Sequence, residues 1–271
     1  MSTSNKKNDF YEKGFLGESI QEFTGSVLKQ YEQFLTAATK LVELGYNIMM
    51  NLQPKDNNLQ QILIASVLIR VLNGFQSVII LSRYGLVFDA KVVLRGQLES
   101  LFILKRLTVD DGFVKEYIDS DLNRRLLWMN VARNSNAPHF DRLRRQATDQ
   151  VIADLKQEIA KKNAKELNIG QIAIQAGLNV EYDTDYRLLC EETHTLPRSL
   201  QNLTILDQGV PAELDPNPSN RELSYVLFTS IRSMHLALEA VANFFGVDKS
   251  NDFKQSAEAL KVLIPKLGQE G

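Results

Sequence analysis

Three groups of residues in this sequence have the type and spacing to do chemistry. The first is Arg95 with Glu99, four residues apart inside the apolar run from Phe88 to Lys105. On a helix that spacing sets both side chains on one face. A helix apolar around most of its circumference is a buried one, and charges in such a place need partners. The run therefore reads as a buried structural ion pair or as the wall of a polar site. The second group is Tyr186, Cys190 and His194, which recur every fourth residue and so share a helical face. Arg187 precedes His194 by seven residues and Glu191 by three. A further histidine helix carries Arg232, His235 and Glu239 on overlapping faces.

Four kinds of chemistry compete for these residues. They can be satisfied polar groups that link core helices. They can form a ligand-binding or protein-binding bundle without catalysis. They can be a metal-independent ribonuclease of the helical, nucleotide-binding (HEPN-like) type, which carries Arg-x4-6-His on a helix and brings two copies together over RNA. In that case Arg187 stabilises phosphate charge and His194 handles a proton. The motif is loose, since Arg133 and His139 fit it as well, and Leu188 stands where a polar residue often follows the arginine. Finally, Glu191-x-x-His194 has the spacing of carboxylate-bridged di-iron bundles. No second Glu-x-x-His exists, so neither a metal nor another cofactor is expected. Phosphate-cradling glycine motifs, a nucleophile elbow and His-Glu-x-x-His are all missing from the sequence.

Composition narrows the setting. Apolar residues make up 44% and charged residues 24%, ordinary for a globular chain. The net charge of -2 gives no signal for DNA and leaves any RNA partner to a local patch. The single cysteine, Cys190, rules out an internal disulfide and a multi-cysteine zinc site. The polar start lacks the apolar core of a signal peptide. The apolar run from Ile62 to Leu81 is interrupted by Arg70, Asn73 and Gln76, so no membrane partner is expected and the location reads as cytoplasmic.

The elements that must position these groups follow from periodicity. The pattern predicts an all-α, multi-helix bundle, with residues 1–13 as a flexible arm and 14–271 as a single helical domain. Helices are expected over about 17–52, 59–82, 88–107, 113–133, 139–167, 170–176, 183–196, 221–245 and 252–267. The core is expected at about 59–107 and 183–245, with the charged 139–167 helix as a surface excursion. Pro197 to Asn220 reads as a long loop, and no run of strands is expected. Ser219-Asn220-Arg221-Glu222 fits a capping box.

The stretch Leu81-Ser82-Arg83-Tyr84-Gly85 through Leu94-Arg95 to Glu99 resembles the signature of the DUF5677 family of uncharacterised bacterial helical proteins. Tyr186, Cys190 and His194 resemble that family's later tyrosine–small residue–histidine helix, with Cys190 where serine or similar is expected. The resemblance spans about residues 76–243. It implies that Arg95, Glu99, Tyr186 and His194 belong to one polar site. With the histidine helix that carries His235 and Glu239, the expected pocket residues are Arg95, Glu99, Tyr186, Cys190, His235 and Glu239. The catalytic alternative uses Arg187 and His194, as a toxin or phage-defence effector in a homodimer acting on RNA.

Overall fold

The computed structural model describes residues 10–194, 200, 203–207 and 210–268. It is an all-α bundle with one small two-stranded sheet. The centre consists of three long helices: α3 (Leu59–Arg83), α4 (Val87–Val109) and α10 (Leu223–Phe245). Helices α3 and α4 are joined by a tight turn at Tyr84–Leu86, so they run antiparallel and pack along their length. Phe75, Leu72, Leu94, Phe102 and Met234 are fully buried in this centre. Asn58 starts α3 by accepting the Gln61 N–H at 3.1 Å, and Gly246, at φ 69°, closes α10.

Outer helices complete the core. Helix α2 (Glu32–Asn51) lies against α3 and α10, with the shorter α1 (Ile20–Gln30) leading into it. The expected single helix is divided at Tyr31, whose φ of −107° and ψ of 22° interrupt the helical run. Helix α5 (Gly112–Asn134) leaves the centre and packs against α6 (Asp141–Gln146) and α7 (Asp149–Lys162). The expected 139–167 helix is therefore two helices. Thr148 takes extended backbone and its hydroxyl accepts the Val151 N–H at 3.3 Å, which starts a new helix there. Asp119, buried on α5, accepts from Lys115 at 2.6 Å and Lys162 at 3.1 Å and so ties α7 to α5.

The chain then returns to the core. Helix α8 (Ile169–Gln175) and α9 (Arg187–Thr193) both lie on α4. Between them, a helical turn at Asn179–Glu181 runs into a π-helical turn at Tyr182–Tyr186. Two antiparallel strands follow, β1 (Thr204–Asp207) and β2 (Val210–Leu214), with a register irregularity between Ile205 and Leu206. The expectation of no strands is corrected here: Pro211 sits within β2, and proline in a short run argues against a strand by pattern while remaining tolerable at a sheet edge. Helix α11 (Ser250–Leu263) closes the fold against α10 and α2. The expected arm lies outside the described residues up to residue 9, and residues 10–13 are helical. Parts of the expected 197–220 loop also lie outside them.

Candidate functional site

Helix α4 presents Lys91, Arg95 and Glu99 at successive four-residue steps, and α9 packs against that helix. Around Arg95 the groups close on one another. Its Nη2 lies 2.9 Å from Glu99 Oε1 and donates to the Tyr186 hydroxyl at 3.0 Å. That hydroxyl donates onward to the same Glu99 oxygen at 2.6 Å. Arg95 Nε reaches Cys190 Sγ at 3.3 Å, and its guanidinium stands 5.2 Å from the Tyr186 ring centre. Tyr186 also stacks on Tyr182, with ring centres 5.3 Å apart. Burial, and then the hydrogen bond it donates to the Glu99 carboxylate, push the Tyr186 phenol above its ordinary range. It stays a hydrogen-bond donor at neutral pH. Arg95 and Glu99 are 28% and 30% exposed, so the pair is half-buried rather than buried.

One turn towards the start of α4 lies the more deeply buried charge. Lys91 is 4% exposed. Its ammonium bonds Glu222 and stands 3.3 Å from Glu192 Oε1. The other Glu192 oxygen, Oε2, is buried without a hydrogen-bond partner among the described residues. Glu222 has φ 60°, a left-handed backbone that a side chain rarely adopts. The expected capping box does not form: Ser219 Oγ accepts from Arg221 N–H at 3.1 Å, α10 begins at Leu223, and Glu222 turns to Lys91 instead. The segment before Glu222 is anchored where Ser219 N–H donates to Gly85 O at 3.0 Å. Beside this ion cluster opens a cavity of about 280 Å³, walled on its apolar side by Phe15, Leu86, Phe88 and Pro216.

The remaining candidates go elsewhere. Asp185, in the π turn, is buried and accepts from Tyr225 at 3.1 Å and from Arg232. Arg187 points outwards, 66% exposed, with Asp183 at 3.4 Å and the Tyr182 ring beneath it. His194 lies one residue past α9 in extended backbone and is exposed, so the helical spacing that grouped it with Tyr186 and Cys190 ends before it. His235 belongs to the seam between α10 and α11, where Nδ1 is 3.0 Å from Ser256 Oγ and Phe253 meets the ring edge-on. Glu239 acts there on His235 through its charge. The cluster on α4 thus unites Arg95, Glu99, Tyr186 and Cys190, while His235 and Glu239 lie on another seam. Among the described residues no three His, Cys, Asp or Glu side chains are arranged to hold a metal ion.

The seam histidine gives a pH signature. Burial holds the His235 imidazole below its ordinary value, against a smaller opposing pull from Glu239. A histidine with a lowered folded-state pKa stabilises the fold fully above its unfolded value of about 6.5, and that contribution is lost as pH falls from there through the folded value. The melting temperature should therefore fall more steeply below pH ~6.5 in the wild type than in His235→Gln. Parallel curves for the two proteins would show that the imidazole is solvated.

The profile of a family of unknown function (DUF5677) matches residues 61–210, just over half of the chain. The chain belongs to the DUF5677 family. No curated protein and no solved structure matches it. The DUF5677 span contains α4, α9 and all but the first two residues of α3, hence Lys91, Arg95, Glu99, Tyr186, Cys190 and Glu192. Glu222, Arg232 and His235 lie beyond it. Sequence reasoning missed Lys91, Glu192 and Glu222. The signal for Lys91 is its place four residues before Arg95, which continues the same polar stripe.

Proposed function

We propose that this DUF5677 protein is a binding module for a small amphipathic molecule with a cationic or hydrogen-bond-donating head. The carrying observation is the cavity at the start of α4, whose apolar wall ends at a buried lysine bracketed by two carboxylates. Small-molecule sites combine an apolar concavity with a few convergent polar groups. Four carboxylates line this one, Asp89, Glu192, Asp215 and Glu222, against Lys91 and Arg221. Lys91 already occupies one oxygen of each of its two partners, and Glu192 Oε2 is left as an acceptor. An ammonium or amidinium group would meet the surplus negative charge of these carboxylates, while an anion would be repelled. The left-handed Glu222 supports the reading, because strained residues that a fold maintains cluster at binding sites. The Arg95–Tyr186–Glu99 triangle satisfies its own members, so its role in this reading is to hold α9, and with it Glu192, against α4.

A thermal-shift screen with paired aryl and alkyl amines and carboxylates tests the reading. Amines should raise the melting temperature, as saturation at 100 times the dissociation constant adds about 2.7 kcal/mol. Glu192→Gln should remove that response. Stabilisation by the carboxylates, or by neither class, would rule the reading out.

A second reading rests on Arg187 and His194 both being exposed, where a phosphodiester can approach them. In it Arg187 offsets phosphate charge and His194 transfers a proton. Purified protein incubated with total RNA decides it: cleavage by the wild type and none by His194→Ala favours the ribonuclease.

A further inference from the structure

The outward face of α3 carries a stripe of isoleucines and small polar residues that nothing among the described residues covers. Ile62, Ser66, Ile69, Asn73, Ser77 and Ile80 follow one another at steps of three or four residues, the spacing of a helix–helix seam. The three isoleucines are 43%, 45% and 54% exposed. Only 39% of the most apolar stretch of this helix is buried within the chain. The two serine hydroxyls donate to their own helix, to the carbonyls of Ile62 and Asn73, each at 2.9 Å. They present a small, already satisfied surface that permits close approach of another helix.

The order of residue types along the stripe identifies the occupant. Read forwards it is Ile-Ser-Ile-Asn-Ser-Ile, and read backwards Ile-Ser-Asn-Ile-Ser-Ile. A two-fold axis across the middle of α3 therefore sets Ile62 of one copy against Ile80 of the other, Ser66 against Ser77, and Ile69 against Asn73. Leu59 and Tyr84, both exposed, meet at the two ends. Like types thus face like at four of the six positions, with Ile69 on Asn73 beside the axis, an order compatible with an isologous interface, in which each contact occurs twice. Charge does not oppose it: Arg70, which borders the stripe, is drawn aside to donate to Ser100 on α4 at 3.2 Å. Val92, exposed, and Gly96, where an added side chain would meet nothing, share the helical face of α4 that carries Ser100. We infer that two copies of this chain pair antiparallel through α3.

Sedimentation of the full chain over a concentration series should give a dimer. Ile69→Glu and Ile80→Glu should give folded monomers, and Leu214→Glu, at an exposed leucine off the stripe, should leave the dimer intact. Disulfide trapping in a Cys190→Ser background reads the orientation without disturbing the seam. Ser66→Cys with Ser77→Cys in one chain should cross-link copies on oxidation, and Ser66→Cys alone should not. A wild type that stays monomeric would overturn the inference, as would a dimer indifferent to Ile69→Glu or self-linking by Ser66→Cys alone. A monomer that floats with phosphatidylcholine vesicles would assign the stripe to a lipid surface instead.

Discussion

Lys91→Met should lower stability by about 3 kcal/mol, the low end of the range for removing one partner of a buried ion pair. The lysine is almost fully enclosed and its ammonium faces Glu222 and Glu192. A methionine fills the space of the side-chain stem but leaves two carboxylates facing one another with no cation between them. Glu222 is 47% exposed, so solvent screens part of the penalty. For a chain of this size the loss corresponds to a fall in melting temperature of roughly 6–12 °C. Adding Glu192→Gln to Lys91→Met should recover part of the loss, because one uncompensated charge disappears. A change below about 1 kcal/mol would be that of an ordinary surface ion pair and would mean that the ammonium reaches water.

Gly85→Ala should be comparably damaging for a different reason. Gly85 turns the chain from α3 into α4 with φ 72°, which disfavours any residue with a side chain by about 1–2 kcal/mol. An added Cβ would lie 2.5 Å from Phe23 Cε1 and 2.7 Å from Pro218 Cβ. Overpacking of that kind adds about 1–3 kcal/mol. Some of it is relieved by movement of the Phe23 ring, so a total of about 2–4 kcal/mol is expected in urea denaturation. Because Ser219 is anchored on the Gly85 carbonyl, the same change should loosen the 215–222 segment over the cavity. Phe23→Ala should make Gly85→Ala less harmful than it is alone. Equal losses in both backgrounds would show that the ring is not the obstacle.

Much of this organisation was legible in the residues, and the exceptions share a cause. Helix periodicity located α3, α4 and α10 to within two residues at either end, because each has a continuous apolar face against a shared core. The Arg95–Glu99 pair was legible because both members lie on one helix at contact spacing. The Lys91 cluster was not, since Glu192 and Glu222 are brought in from two other elements far along the chain. Ser219 and Glu222 also have the spacing of a local cap, and tertiary pairing with Lys91 overrides it. The break at Thr148 is decided by one hydroxyl that competes for a backbone N–H, a contest that apolar spacing does not register.

The π turn at Tyr182–Tyr186 bears on how relatives should be compared. Each residue of a regular helix advances the chain by about 100° around its axis. A wide turn holds one residue more than a regular one over the same rise, so it acts as a phase shift between Tyr182 and everything after it. Loss of a single residue there would restore regular winding and rotate α9 by that angle, carrying Cys190 away from Arg95 and Glu192 away from Lys91. In DUF5677 sequences, a one-residue gap within this turn would therefore count for more than several substitutions on the exposed side of α9.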